Sequence, residues 1–422
     1  MRKLILLLIL IGCPVTAFTQ LAARDSAINI ITYWPTGFTV NPATTQGQRV
    51  QRILQHIQTL GIKTVILNFR GVMITGTTNE VSSVVLQEQW TSEEQEVKAL
   101  AAYAKTLGLH VAFRPILLVV GPNYEFPYQV DGYYWWHGVI KPTEPEKWFE
   151  SYFKFHERYM RLAHEVNAIW YSIGAEMHSM TSGLGSRDNQ RQFGYPALWL
   201  KFIDKARPIL QSTKITYGAN YTDQYVLENG QRTWGGELEQ WRYYLTNTAT
   251  TTQEIEHQSN LRKLWLEIDF MGIDFYRSLG SEHTIYPDNF TDLSNVLQET
   301  TDLLGAELKA MNQQIEATTG VKKELHLQEI GYRSVEQSFV KPYVYEGDGA
   351  EINFMHQASA WEAVLRTFWN PVDPIVTGIG IWQILVDEDT DLKPNGGFSP
   401  LGKPLTEEVL RQHFHSPTDY LH

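Results

Sequence analysis

Eight short runs rich in β-branched and aromatic residues recur at a fairly regular interval along this chain of 422 residues. The runs are INIITYW (28–34), TVILNFR (64–70), HVAFRPIL (110–117), AIWYSIG (168–174), KITYGAN (214–220), FMGIDFY (270–276), ELHLQE (324–329) and VTGIGIWQI (376–384). Nearly continuous apolar strands of this kind are typical of a parallel sheet that is covered on both faces. Between most of them lies a segment with the apolar spacing of a helix.

Several of these helical segments also carry end signals. The segment QRVQRILQHIQTLG places its apolar residues on one stripe and is closed by Gly61, where a helix C-cap is expected; the stripe residues are Val50, Ile53, Leu54 and Ile57. The segment SEEQEVKALAAYAKTLG begins with serine and acidic residues and again ends in glycine. The segments EPEKWFESYFKFHERYMRLAHEV and NFMHQASAWEAVLRTFW behave similarly, whereas 221–265 gives no clear helix.

Strand and helix alternating eight times predict an α/β fold, a (β/α)8 TIM barrel that forms a single domain over residues 24–422. The main alternative is an open, doubly wound sheet, which would require a glycine-rich phosphate loop after the first strand. The segment YWPTGFTVNPATT at that place has neither a GxGxxG nor a P-loop pattern. No linker, repeat or low-complexity segment divides the chain.

The N-terminal segment MRKLILLLILIGCPVTAFTQ has two positive charges followed by an apolar run from Leu4 to Ile11. This run is too short to span a bilayer and is typical of a secretory signal over residues 1–23, with a buried first strand as the alternative. The single cysteine, Cys13, ends a stretch LIGC that resembles a bacterial lipobox, in which the cysteine becomes lipidated. Cleavage nearer Ala17 to Ala23 is the other possibility. We therefore expect an exported protein that is secreted, periplasmic or lipid-anchored at the bacterial cell surface.

Composition narrows the range of ligands. Lys+Arg number 35 against 47 Asp+Glu, and this formal charge of -12 argues against a nucleic-acid partner. The 13 Trp and 21 Tyr side chains suit flat, hydroxyl-rich ligands. His156 and His164 lie eight residues apart with no His-x-x-x-His pattern, so we expect neither a metal nor a cofactor. Ser-His-Asp catalysis has no GxSxG elbow to start from.

Two glutamates end apolar strands at matching places in the predicted barrel. Glu176 follows the fourth strand in AIWYSIGAEMHSM, and Glu329 ends the seventh in ELHLQEIGYRS. One such glutamate alone would more readily be an ordinary loop residue in an ion pair. Two of them at the C-terminal face of a barrel, where such folds carry their chemistry, favour a shared role. Paired carboxylates suit glycoside hydrolysis, because one protonates the leaving oxygen while the other attacks the anomeric carbon.

Residues of the sixth strand accompany this pair. Tyr276 ends the strand and could donate its hydroxyl to Glu329. Asp274 lies on the same strand face by the period of two. It could bind a sugar hydroxyl, but pairing with a barrel arginine such as Arg114 is the favoured interpretation.

The glutamates of strands four and seven resemble those of clan A retaining glycosidases, in which the first is the acid/base and the second the nucleophile. The segments DGYYWWHGVIKPTEPEKWFESYFKF (131–155), YSIGAEMHSM, IDFMGIDFYRSL (268–279) and QEIGYRS (328–334) together resemble glycoside hydrolase family 113. The likeness covers about residues 28–400, and characterised members of that family are mainly β-mannanases. It implies a catalytic domain in which Glu176 and Glu329 cleave β-mannan or mannooligosaccharides by double displacement, with no protein partner.

The resemblance also implies several substrate-binding residues. Arg70, ending the second strand, would stand beside the nucleophile and keep it ionised. The wider clan places an asparagine before the acid/base, where this chain has Ala175, and Asn220 at the end of strand five is a substitute for contact with the sugar 2-hydroxyl. Trp382, ending strand eight, would lie beneath the sugar at the cleavage point.

Aromatic residues after the third strand complete the predicted cleft. In YYWWHG (133–138), we interpret Trp135, Trp136 and His137 as one wall of the cleft, with Trp34 as a weaker candidate. Two other readings stay open: a clan A barrel that cleaves another β-linked glycan, and a glycan-binding barrel without catalysis.

Overall fold

A computed structural model describes residues 24–32, 37–123, 128–130, 133–184, 192–223, 235–345, 349–387 and 393–415. The expected signal segment with Cys13, and also Trp34, lie outside these residues. The strands are β1 (Asp25–Ile31), β2 (Thr64–Asn68), β3 (Arg70–Met73), β4 (Ser82–Ser83), β5 (His110–Phe113), β6 (Ile116–Val119), β7 (Tyr128–Val130), β8 (Tyr133–Trp135), β9 (Trp170–Ala175), β10 (Lys214–Thr222), β11 (Phe270–Tyr276), β12 (Leu325–Ile330) and β13 (Gly378–Leu385).

Eight of these strands close into a parallel barrel in the order β1-β13-β12-β11-β10-β9-β5-β2. The pairing of β1 with both β13 and β2 completes the circle. The ends of each barrel strand lie within its apolar run or within three residues of it. The predicted (β/α)8 fold is therefore confirmed.

Two of the apolar runs are each divided between the barrel and a second sheet. The barrel strand β2 ends at Asn68, and Arg70 begins β3; likewise β5 ends at Phe113, and Ile116 begins β6. Strands β3 and β6 pair in parallel with each other, and β4 adds to β3, in a three-stranded sheet apart from the barrel. A third sheet is the hairpin of β7 and β8. Consequently Arg70 belongs to the small sheet, whereas Arg114 directly follows a barrel strand.

The helices of the described residues pack around the barrel. They are α1 (Thr45–Gln58), α2 (Trp90–Thr106), α3 (Pro145–Glu165), α4 (Pro196–Leu210), α5 (Gly236–Thr246), α6 (Thr252–Glu267), α7 (Phe290–Thr319), α8 (Phe354–Phe368) and α9 (Pro404–Phe414). The predicted stripe of α1 is buried, and the Thr44 hydroxyl caps this helix by accepting from Gly47 N at 3.0 Å. Helices α5 and α6 occupy the segment that gave no clear sequence signal. Within the described part of the chain, no helix combines the length and apolarity needed to cross a membrane.

The inside of the barrel is layered along the strand direction. An apolar layer fills its N-terminal end, formed by Ala27, Ile66, Ala112, Trp170 and Phe270. Two residues further along the strands, the period of two brings polar side chains into the same interior, among them Asn29, Asn68, Arg114 and Ser172. This polar layer lies directly beneath the ends of the strands that carry the two glutamates.

Candidate active site

Glu176 occupies a tight turn immediately after β9. Its φ of 52° is left-handed, and its backbone N–H donates to the carbonyl of Gly218 at 2.7 Å. The next N–H, that of Met177, donates to the Tyr217 hydroxyl at 2.9 Å. Both bonds tie the turn to strand β10. The left-handed conformation of a non-glycine residue is costly, and it persists because these contacts hold it.

Both carboxylate oxygens of Glu176 have a partner. The side-chain amide of Asn220 donates to Oε1, and Nε2 of His137 lies 3.3 Å from Oε2. Asn220 comes from β10 and His137 from the turn after hairpin strand β8, so the two partners approach from different parts of the fold. Asn220 thus contacts the carboxyl of Glu176, and its predicted contact with the sugar 2-hydroxyl stays a prediction.

Glu329 lies on β12 and is held by a phenol and a guanidinium. The Tyr276 hydroxyl donates to its Oε1, and Nη2 of Arg114 lies 2.7 Å from its Oε2. The same Nη2 lies 2.7 Å from Oδ2 of Asp274, so one fully buried arginine serves two carboxylates. The favoured interpretation of Asp274, pairing with Arg114, matches this contact.

A chain of amides fixes Arg114 from below. Its Nη1 donates to Oδ1 of Asn68 at 3.3 Å, and the Asn68 amide donates to Oδ1 of Asn29 at 3.1 Å. The Asn29 amide in turn donates to the carbonyl of Gln328 at 2.9 Å. The relay thus returns to β12, one residue before Glu329, and it links strands β1, β2 and β12 around the guanidinium.

The two glutamates differ in the charges that act on them. Burial raises the pKa of Glu176, but the hydrogen bond and charge of His137, with the Asn220 amide, outweigh it and lower the pKa overall. Burial, together with the nearby Glu176, raises the pKa of Glu329 despite Arg114 and Tyr276. His137 exerts its charge only while protonated, whereas the charge of Arg114 is permanent. The contact with Arg114 opposes the rise in the pKa of Glu329 and favours its ionised form.

A cation lies beside Glu329, and it is one that the sequence analysis had assigned to Asp274; Arg70, which begins β3 outside the barrel sheet, stays a predicted neighbour of the nucleophile. The guanidinium whose Nη2 contacts Glu329 is that of Arg114. The apolar run at 110–117 concealed this, because it continues past the end of the barrel strand at Phe113. The signal that could have found Arg114 is the one that found Glu176, a charged residue directly after a strand. Arg70 remains a predicted substrate-binding residue.

Aromatic side chains flank the glutamates on two sides. Trp382 on β13 is 9% exposed and packs with Ile31 and Phe398, and Arg114 Cζ lies 5.9 Å from its ring centroid. On the other side, the Trp136 ring is 5.1 Å from His137 and 5.4 Å from His178, with centroids as reference points.

His178 is a site residue that the sequence analysis missed. Burial lowers its pKa to about 4, so its imidazole is neutral beside Glu176. The Trp135 ring covers Gly76, where an added Cβ would stand 1.8 Å from Trp135 Cε3. Trp136 packs against His137, the partner of Glu176, and a cleft wall formed by Trp135, Trp136 and His137 stays a prediction. The part of the chain that the structure describes has no group of three or more His, Cys, Asp or Glu side chains suited to a metal ion.

Comparison with known proteins finds a family that part of the chain resembles. The model of Glycoside Hydrolase Family 113 matches residues 34–221. The chain is similar to this family over that stretch, which is less than half of its length. Among curated proteins no match is found.

Solved structures of family 113 enzymes share the fold. A GH113 β-1,4-mannanase in a complex has a TM-score of 0.57 at 18% identity, over 93% of this chain and 99% of that one. The GH113 β-mannanase AaManA from Alicyclobacillus acidocaldarius, in complex with ManMIm, has a TM-score of 0.60 at 17% identity, over 93% and 97% of the two chains. At such identities the likeness concerns the fold. The family match, on a barrel with paired glutamates, supports a glycoside hydrolase.

Proposed function

We propose that this protein is a retaining β-glycoside hydrolase, an endo-β-1,4-mannanase that acts on β-mannan or mannooligosaccharides. The observation that supports it is the difference between the two carboxylates. Glu329 is in direct contact with a permanent cation, which suits a nucleophile, while the partners of the Glu176 carboxylate among the described residues are an amide and an imidazole. The likeness to solved GH113 β-mannanases supports mannan as the backbone.

In the first step, Glu329 attacks the anomeric carbon while Glu176 gives its proton to the glycosidic oxygen, and the leaving sugar departs. In the second step, Glu176 takes a proton from water, the water oxygen bonds to the anomeric carbon, and the bond to Glu329 breaks. The first step leaves Glu176 ionised and Glu329 bonded to the sugar. The second step returns the proton to Glu176 and frees the carboxylate of Glu329. Arg114 and Tyr276 stabilise Glu329 whenever it carries its full charge, before attack and after release.

Azide rescue tests the two roles. Glu329→Ala should abolish turnover and regain it with azide, which gives a glycosyl azide of inverted configuration. Glu176→Ala should retain glycosylation only of substrates with good leaving groups, and azide should then give a product of retained configuration. Product configuration is read by NMR. Rescue of neither variant, or the two stereochemistries exchanged, would contradict the assignment.

Product analysis tests the substrate. We expect release of short mannooligosaccharides from mannohexaose, with cellohexaose and xylohexaose left intact under the same conditions. Chromatography of the products over time distinguishes internal cleavage from release of single sugars. Activity on another backbone alone would keep the two glutamates and replace mannan. No hydrolysis of any glycan, with glutamate-to-glutamine variants that bind like wild type, would instead indicate a binding protein.

A further inference from the structure

A second buried glutamate lies behind the turn that carries Glu176. Glu237, in the first turn of α5, is 0% exposed. Three donors converge on its Oε1: the Thr181 hydroxyl, the Tyr217 hydroxyl at 2.8 Å and the Trp241 indole N–H at 3.2 Å. Its Oε2 is buried and has no hydrogen-bond partner among the described residues. An ionised carboxylate left half-unpaired in this way would be costly, so the arrangement fits a neutral acid.

The charge state agrees with that geometry. Burial raises the pKa of Glu237 to about 7; its three donors oppose this shift, and nearby Glu176 adds to it. With a pKa of about 7, Glu237 is mostly protonated below neutral pH, and in that form it adds no charge behind Glu176.

The donors of Glu237 lead directly to the Glu176 turn. The Tyr217 hydroxyl that donates to Glu237 accepts the N–H of Met177 at 2.9 Å, and Met177 follows Glu176 in the chain. The Thr181 hydroxyl lies 2.9 Å from the carbonyl of Met177. Both backbone groups of Met177 are thus within reach of side chains that Glu237 orients.

Gly236, the residue before Glu237, supports Glu176 from the other side. Its φ of 77° is left-handed, and an added Cβ would stand 2.6 Å from the carbonyl oxygen of Asn220 and 2.7 Å from Asn220 Oδ1. Asn220 is the residue whose amide donates to Glu176 Oε1. Only glycine therefore lets the start of α5 approach this asparagine so closely.

We propose that Gly236 and Glu237 act as positioning residues for Glu176, with Glu237 ordering the turn through Tyr217 and Thr181, and Gly236 seating Asn220. This proposal rests on Glu176 being the acid/base of the proposed function. Neither residue touches the substrate. Their loss misplaces the proton donor and leaves Glu329 with its own partners intact.

The dependence of kcat/KM on the leaving group distinguishes a misplaced acid from a general loss of activity. Glu237→Leu should lower kcat/KM on mannohexaose about 10-fold to 100-fold, since a misplaced group at this level costs roughly that much. The dinitrophenolate of a dinitrophenyl β-mannoside leaves without being protonated. On this substrate kcat/KM should therefore change less than about 3-fold. Glu237→Gln keeps an acceptor at Oε1 and should stay near wild type on both substrates. Tyr217→Phe, which removes the link to Met177, should show the same split as Glu237→Leu.

Gly236→Ala has a matched control in Gly108→Ala. Both glycines have left-handed φ, 77° and 73°, but an added Cβ at Gly108 would meet nothing within 4 Å. Gly236→Ala should lower kcat/KM on mannohexaose much more than on the dinitrophenyl β-mannoside. Gly108→Ala should not produce this difference, which we call the leaving-group split.

Glu176→Ala, measured on the same two substrates, separates the two possible failures. If it shows the split while the Glu237 and Gly236 variants lose activity equally on both substrates, or lose none, the positioning proposal is overturned alone. If Glu176→Ala itself lacks the split, the proposed function falls and the positioning proposal with it. Thermal unfolding of each variant confirms that the protein measured is folded.

Discussion

At the scale of single residues, the two glutamates differ in the permanence of their partners. Arg114 keeps its charge at every working pH and is fixed by Asp274 and Asn68. His137 is a partner of a different kind, because an imidazole carries a charge only when it is protonated. Glu329 therefore has a permanent cation as partner, and Glu176 does not.

His137→Ala should move the alkaline limb of kcat/KM to higher pH. After burial, the hydrogen bond and charge of His137 are the next largest influences on Glu176, and they lower its pKa. Without them the folded pKa rises, so the proton needed by the leaving group is kept to higher pH. The pH profile on mannohexaose measures this shift. An unmoved alkaline limb, or one moved to lower pH, would show that His137 does not control the proton of Glu176.

Residues that end a clear strand could be predicted from the sequence, and others could not. The strand ends are marked by Glu176, Glu329 and Tyr276. From the period of two and the barrel geometry, the sequence therefore predicted that these three residues lie close together. Arg114 was harder to place, because its run continues into β6 and hides the strand end. Glu237 could not be found, because its role depends on Tyr217 and Met177, which are distant in sequence and meet only in the folded chain.

At the scale of elements, the hairpin of β7 and β8 carries the predicted wall of the cleft. Its strands pair Tyr128 with Trp135, and His137 follows immediately after it. The Trp135 ring lies against Gly76, in the loop after β3. We therefore expect the position of His137 beside Glu176 to depend on this contact between the hairpin and the loop after β3, which no local sequence pattern encodes.

Gly76→Ala tests this dependence. The new Cβ would stand 1.8 Å from Trp135, so the ring and the hairpin must shift. We expect kcat/KM on mannohexaose to fall about 10-fold, while the barrel, which does not include this contact, stays folded. In a Trp135→Ala background the collision is gone, so adding Gly76→Ala should cost nothing more. Equal losses in both backgrounds would place the effect of Gly76 outside the hairpin contact.

At the scale of the whole molecule, the barrel encloses a charged and polar centre in apolar packing. Arg114, Asp274 and Glu329 are buried between the apolar floor of the barrel and the mouth. Burying such groups costs stability unless they are paired, and the contacts among them supply the pairing. The surrounding helices pack on the strands in one continuous apolar cluster. The free energy gained by burying this apolar surface offsets the remaining cost of burying the charged groups. That cluster also encloses neutral histidines, and these make the stability of the fold depend on pH.

His156 gives the clearest case for acid-dependent stability. It is fully buried on α3 with the Tyr171 hydroxyl 2.8 Å from its Nδ1, and burial lowers its pKa to about 3. The unfolded chain takes up a proton on this histidine below about pH 6.5, whereas the folded chain does not until about pH 3. Its contribution to stability is therefore complete above about pH 6.5 and is lost as the pH falls toward 3, by up to about 1.4 kcal/mol per pH unit.

His156→Gln should flatten this loss, because glutamine keeps an acceptor for Tyr171 and binds no proton in the unfolded chain. The free energy of unfolding, measured with urea from pH 7 to pH 4, should fall less steeply in the variant, whatever its stability at pH 7. His110→Gln is the matched control, since His110 is exposed at the start of β5 and should leave the slope as in wild type. Buried His257 and His326, whose pKa values burial lowers to about 4, act in the same direction, so some slope should persist. A slope identical to wild type in His156→Gln would mean that His156 already binds its proton in the folded protein.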